Sequence, residues 1–306
     1  MFVVTGVDSK INSSVEILTE DEFGQYTPCS AVSDFPVATS SATGAVFNAL
    51  PHVCVGHKEG DPSKECIKFT TDGSWENDFN LTKPLKQWGS SVTFGDWRGA
   101  ATAWWFVGGD PDGIETEVWG GNPPTEISNG VIKLPKIINQ PCMTNISEQE
   151  AFITATPKLE GTETNLAWIF NIQSNTWTSL PNTLEKRTGP ACGFLKTNAG
   201  RFVVLAGGLK SSTTEILNLD TNTWIEGPSI EVDLYGASIV SVNDNQELLL
   251  VGGYNQKNGA LRYIWRMNST LSSWEPVGQL KTARFNAVAL AVPLENLPPL
   301  CPCPSP

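Results

Sequence analysis

A repeat with a period near fifty residues constrains this chain more than any other feature. RFVVLAGG (201–208) is followed by TTEILNLDTNTW (213–224), and QELLLVGG (246–253) by RYIWRMNSTLSSW (262–274). AWIFNIQSNTW (167–177) repeats the second half of that unit. Trp177, Trp224 and Trp274 lie 47 and 50 residues apart, and Trp75 lies 102 residues before Trp177. The interval between these last two holds WWFVGGDPDG (104–113) and TEVWGG (116–121). Self-similarity at such a period marks an array of supersecondary units that bury their faces against one another.

The unit has a physical reading. An apolar run ending in Gly-Gly is a buried strand that must turn where only glycine tolerates the backbone geometry. A second strand follows, then an Asx-rich turn, then a Trp on the outermost strand. Its indole fills the wedge between neighbouring sheets, which widens away from a central axis. Trp104 and Trp105 are adjacent in one strand, so they face opposite sides and pack against different neighbours.

These features resemble the kelch repeat, in which an apolar strand and a double glycine precede a Trp by sixteen to twenty-one residues. The resemblance spans the chain and is closest over 186–292. The first unit departs from it, with FVVTG for the double glycine and Tyr26 at the Trp position. Residues 122–166 show neither mark, and 137–165 are expected to hold irregular or inserted structure. The resemblance implies an all-β, six-bladed propeller with four-stranded blades. TARFNAVALAV (282–292) supplies a first strand that completes the blade begun by FVVTG. The expected blades are 282–292 with 1–30, 41–80, 87–135, 137–182, 186–229 and 233–279. Residues 1–293 form one propeller, and 294–306 form a proline-rich tail.

Composition accords with a soluble all-β chain: 40% hydrophobic, 17% charged, 27 glycines and 21 prolines. A net charge of −12 disfavours nucleic acid and anionic membranes as partners, and no apolar run is long enough for membrane insertion. The seven cysteines include no CxxC pair, and His52 and His57 are the sole histidines, so no metal or cofactor is expected. Cys54 and Cys66 flank the turn-rich GHKEGDPSKE and are the candidate disulfide; two small buried residues are the alternative. Cys301 and Cys303 offer a tie from the tail to the body, through Cys29, or to a second chain. Asn12, Asn80, Asn145 and Asn268 open N-x-S/T sequons, the candidate glycosylation sites, although about four are expected by chance. The N-terminus reads as a strand and not as a leader. Secretion is the expected localisation, with the cytoplasm as the alternative.

In kelch propellers ligands usually dock on the face formed by the loops leading into the first strand and leaving the second. Aligning the lead-in segments gives Thr43-Gly44-Ala45, Trp88-Gly89-Ser90, Thr188-Gly189-Pro190, Tyr235-Gly236-Ala237 and Phe285-Asn286-Ala287. Trp88, Arg187, Tyr235, Arg284, Phe285 and Asn286 are therefore the candidate ligand-binding residues of an axial mouth. Arginines and aromatics there suit an acidic peptide, a sugar or a flat organic molecule. The competing account has the aromatics capping the core and the arginines pairing with carboxylates. The expected function is a non-catalytic binding or interaction protein for a protein, peptide, sugar or small ligand. The alternatives are a carrier of a small hydrophobic or aromatic molecule, or a carbohydrate-active or other enzyme with a carboxylate/arginine site on the axis. No catalytic residue is assigned.

Overall fold

In a computed structural model the chain is all-β. The structure describes residues 1–8, 10–29, 32–58, 61–85, 89–107, 116–127, 132–136, 138–157, 165–267 and 270–293. No helix occurs among them. The strands form antiparallel groups of four in meander order. The first sheet runs Val288–Leu290, Phe2–Val4, Val15–Glu20, Tyr26–Cys29, so a late strand pairs with an early one. The second runs Thr43–Phe47, Leu50–Cys54, Asp61–Phe69, Trp75–Leu85, with the short His57–Lys58 added at the start of its third strand. The third runs Ser90–Trp97, Ala100–Val107, Glu117–Gly120, Thr125–Glu126. The fourth runs Ile138–Asn145, Glu150–Pro157, Leu166–Asn171, Thr176–Ser179. The fifth runs Ala191–Thr197, Gly200–Ala206, Thr214–Asn218, Thr223–Gly227. The sixth runs Ser238–Val242, Glu247–Val251, Tyr263–Met267, Trp274–Gln279. One parallel pair, Gly278 with Tyr26, joins the sixth to the first along their outer strands.

The arrangement is propeller-like. The opening strand of each sheet touches that of the next, and the sixth returns to the first, which closes the circuit. Buried apolar clusters lie between successive sheets and draw on both. Trp104 packs on Phe47 and Phe79 of the second sheet, whereas Trp105 packs on Phe170 and Trp177 of the fourth. Both indoles are fully buried, so strand alternation divides them between two interfaces as the sequence requires. Within 137–165, where the sequence leaves room for irregular or inserted structure, the described residues form a hairpin over Ile138–Asn145 and Glu150–Pro157 that carries a bulge between Asn139 and Cys142. Met143, Phe152 and Ile153 are buried there, while Trp177 occupies the outer strand of the same sheet; the Gly-Gly alone is lacking.

In the fifth and sixth sheets the double glycines dock the sheet onto the loop leading into the next. Gly207 (φ 68°) and Gly252 (φ 65°) are left-handed, and a Cβ at either would come within 2.5 and 2.4 Å of the Leu234 and Arg284 carbonyl oxygens. Gly208 and Gly253 donate their N–H groups to those same carbonyls, at 2.8 and 2.9 Å. In the first sheet Thr5 stands at the corresponding point, with φ 59° and a buried hydroxyl that has no hydrogen-bond partner. A β-branched residue is strained there.

Cys54 and Cys66 are register partners on adjacent strands and form a disulfide. A second bridge, Cys142–Cys192, links the opening strands of the fourth and fifth sheets. Two disulfides accord with an oxidising, extracellular environment. Cys301, Cys303, the side chain of Cys29 and the proline-rich tail lie outside the described residues.

Candidate functional site at the axial mouth

Where the opening strands converge they leave a cavity of about 260 Å³, lined by the lead-in segment of every sheet. A left-handed residue stands two positions before the opening strand of the first, second, fifth and sixth sheets. These are Asn286 (φ 51°), Ser41 (φ 55°), Gly189 (φ 62°) and Gly236 (φ 64°). Gln140 (φ 49°) takes the same place in the fourth, at a bulge between Asn139 and Cys142. Backbone hydrogen bonds chain three of these segments together: Asn286 N–H donates to the Gly236 carbonyl (2.7 Å), and Gly236 N–H to the Gly189 carbonyl (3.1 Å).

This geometry moves the register in the second sheet. The counterpart of Gly189 and Gly236 is Ser41 rather than Gly44. Gly44 lies inside its strand, where a Cβ would come within 2.4 Å of Val288 Cγ1, so its glycine serves close packing of two sheets.

The sequence-derived residues separate into groups. Tyr235 and Phe285 are half-buried and precede lining residues, and Tyr254 joins them in an aromatic cluster with ring centroids 5.1 to 5.9 Å apart. Burial, and then the adjacent Tyr254, raise the pKa of the Tyr235 phenol. Asn286 lines the cavity itself. Trp88 lies outside the described residues.

Arg187 and Arg284 do not face the mouth. Both are at most 1% exposed and sit in matching cages within their own sheets. Arg187 Nε donates to Glu215 (2.8 Å), and its Nη1 to the Gly207 and Thr213 carbonyls (2.7 and 2.9 Å). Arg284 Nη2 donates to Glu16 (2.6 Å), and its Nη1 to the Thr5 and Ser14 carbonyls (2.8 and 2.9 Å). Burial lowers the Arg284 pKa while Glu16 opposes the shift; guanidinium basicity keeps it charged. The expected ligand-contacting arginines are therefore structural: neither presents surface to a ligand.

The sequence reading missed the glutamates of these cages and the polar member of the lining. Glu16 and Glu215 also accept N–H bonds from the lead-in loop, at Lys281 and Thr282 and at Leu184 and Glu185. Glu117 accepts N–H bonds from Thr82 and Lys83 on the outer strand of the preceding sheet. The signal was present as VEIL, TEIL and TEVW, a glutamate at one position of the third strand. Gln140 had no such mark. Its Oε1 is buried at the cavity without a hydrogen-bond partner, an acceptor whose desolvation is uncompensated.

Among the described lining residues none carries a charge. The wall offers backbone groups, the Ser41, Thr43, Ser90, Ser91 and Ser238 hydroxyls, and the amides of Gln140 and Asn286. No group of His, Cys, Asp and Glu able to hold a metal ion occurs among the described residues. Comparison of the chain with protein-family models gives no match, and comparison with curated proteins gives none either.

Proposed function

We propose that this chain is a six-bladed kelch-type propeller, secreted, that acts by binding and not by catalysis, and that its ligand is small, uncharged and rich in hydroxyls, such as a sugar unit. The observation that carries the reading is the neutral polar cavity with the unpartnered Gln140 Oε1 in its wall, and the Tyr235–Tyr254–Phe285 cluster, whose Tyr235 and Phe285 immediately precede the lining residues Gly236 and Asn286, supports it. An orphaned acceptor is satisfied by a hydroxyl donor, and an aromatic face receives the apolar face of a sugar ring. At about 260 Å³ the cavity is just under the usual range for drug-sized ligands, which favours a single ring or a short tip of a larger molecule.

Charge selects among the alternatives. An acidic peptide loses its anchors, because Arg187 and Arg284 are enclosed by Glu215 and Glu16. Acid/base catalysis on the axis lacks a carboxylate among the described lining residues, and a carrier of hydrophobic molecules would call for a less polar wall.

Saturation-transfer NMR with a panel of neutral monosaccharides tests the reading against acidic peptides and hydrophobic aromatics. Transfer from at least one sugar is expected, weakened by both Tyr254→Ala and Gln140→Met. Transfer from peptides or aromatics alone, or sugar signals indifferent to both substitutions, would refute it.

A further inference from the structure

The described sequons Asn12, Asn80 and Asn145 are equivalent as sequence but not as structure. Asn145 Nδ2 donates to the Thr93 carbonyl of the neighbouring sheet at 2.5 Å, so a sugar on that nitrogen would part the third and fourth sheets. Asn12 Nδ2 is shut off from solvent, and its Oδ1 receives the hydroxyl of Ser14, which belongs to the Arg284 cage. Asn80 differs from both. It is exposed, its side chain makes no hydrogen bond among the described residues, and it lies on the outermost strand of the second sheet. Asn268 lies outside the described residues.

We infer that Asn80 is a site of N-glycosylation, that Asn12 and Asn145 carry no sugar in the folded protein, and that the Asn80 glycan masks the outer edge of the second sheet. Sugar transfer precedes folding, so the fold retains only those glycans that it can accommodate. The transfer bonds the Asn80 amide nitrogen to C1 of an oligosaccharide and breaks the bond between that carbon and a lipid-linked pyrophosphate. The lipid pyrophosphate and one amide proton leave. The two disulfides accord with an oxidising compartment, and the inference rests on the proposed secretion, whose route carries this donor chemistry.

The site also answers a structural need. Trp75–Leu85, at eleven residues, is the longest described strand, and it pairs with the Asp61–Phe69 strand on one side only. A long unpaired edge is a template for joining another chain. Glu117 and the Lys64 ammonium already cover the Thr82 N–H and carbonyl near one end. A glycan at Asn80 covers the stretch beside them and stands at the circumference, leaving the axial mouth open. The inference does not depend on the nature of the ligand.

The test is expression of the full chain behind a cleavable secretory leader in a eukaryotic cell, with site occupancy read by peptide mass spectrometry after enzymatic sugar release in heavy-oxygen water. Asn80 should be occupied in most secreted molecules, and Asn12 and Asn145 in almost none. Sugar-free Asn80 in the secreted protein, occupancy at Asn12 or Asn145, or retention of the chain inside the cell would overturn the assignment. Asn80→Gln leaves the bonds of Thr82 to Glu117 intact and is expected to keep the native near-ultraviolet circular dichroism. Sedimentation should then show a several-fold rise in its self-associated fraction. An Asn80→Gln protein as monomeric as the glycosylated one would overturn the edge-masking role.

Discussion

Substitution of Glu215 by alanine tests the view that the buried arginines hold the architecture. Glu215 accepts three hydrogen bonds: from Arg187 Nε and from the N–H groups of Leu184 and Glu185. The side chains of Glu215 and Arg187 are 2% and 0% exposed, so the pair is not screened by solvent. The two N–H groups belong to a loop whose Leu184 is 48% exposed, and water replaces the carboxylate there at small cost. Arg187 has less recourse: its guanidinium stays buried and loses its closest counter-charge, keeping the longer contact of Nη2 with the half-exposed Glu185 at 3.4 Å. Removing one member of a buried pair costs about 3–5 kcal/mol, and the remaining Glu185 contact puts this loss at the lower end, about 3 kcal/mol. Glu215→Gln keeps an acceptor but loses the charge, for about 2 kcal/mol. Replacing both partners, as in Arg187→Met with Glu215→Leu, should recover most of the loss, since the penalty belongs to a buried charge whose closest counter-charge has been removed. Urea unfolding followed by tryptophan fluorescence gives all three values. A Glu215→Ala loss below about 1 kcal/mol, the range of exposed pairs, would refute the argument. So would a double variant no better than the worse single one.

Three further expectations follow from other parts of the structure. Thr5→Gly should stabilise the protein by about 1 kcal/mol, because it releases a β-branched residue from a left-handed conformation and deletes an unpartnered buried hydroxyl; thermal unfolding reads the sign. Removing the Cys142–Cys192 bridge by double alanine substitution opens a cross-link spanning 50 residues and should cost about 4 kcal/mol, measured as a fall in the unfolding midpoint. Burial alone would raise the Asp78 pKa, but hydrogen bonds and charge from His52 and Lys68 prevail and hold it below 3.8. A carboxyl with a depressed folded pKa contributes stability above its unfolded pKa and loses it as pH falls through the folded value. The gap between wild type and Asp78→Asn should therefore be widest near neutrality and close below about pH 4, in urea midpoints taken from pH 7 to pH 2.

What the sequence disclosed was what repeats. Gly-Gly, the outer-strand Trp and the apolar alternation recur because every sheet meets the same packing problem, so the meander and the opposed faces of Trp104 and Trp105 were legible. So was the cross-strand pairing of Cys54 with Cys66. Features that arise between distant segments were not. Cys142 and Cys192 come together only when two opening strands lie side by side, and no local spacing announces it. Gln140 matches Gly189, Gly236 and Asn286 in backbone conformation and not in residue type, so alignment by letters passed over it. The arginines were found by position and misread by role. Their partners Glu215 and Glu16 sit two strands away, and the distance from chain order to contact hid the cage.

The pairing of Val288–Leu290 with Phe2–Val4 determines how the molecule comes apart. In a linear array the terminal units fray first, and disorder travels inward one unit at a time. A closed circuit has no terminal unit. Melting must begin by parting a strand from a sheet flanked on both sides, and the clasp is the short three-residue pairing where this is easiest. Lifetime in a protease-rich setting is then governed by the opening rate of that clasp more than by the total stability of the ring, so its amides should report, in hydrogen exchange, the earliest motion towards unfolding.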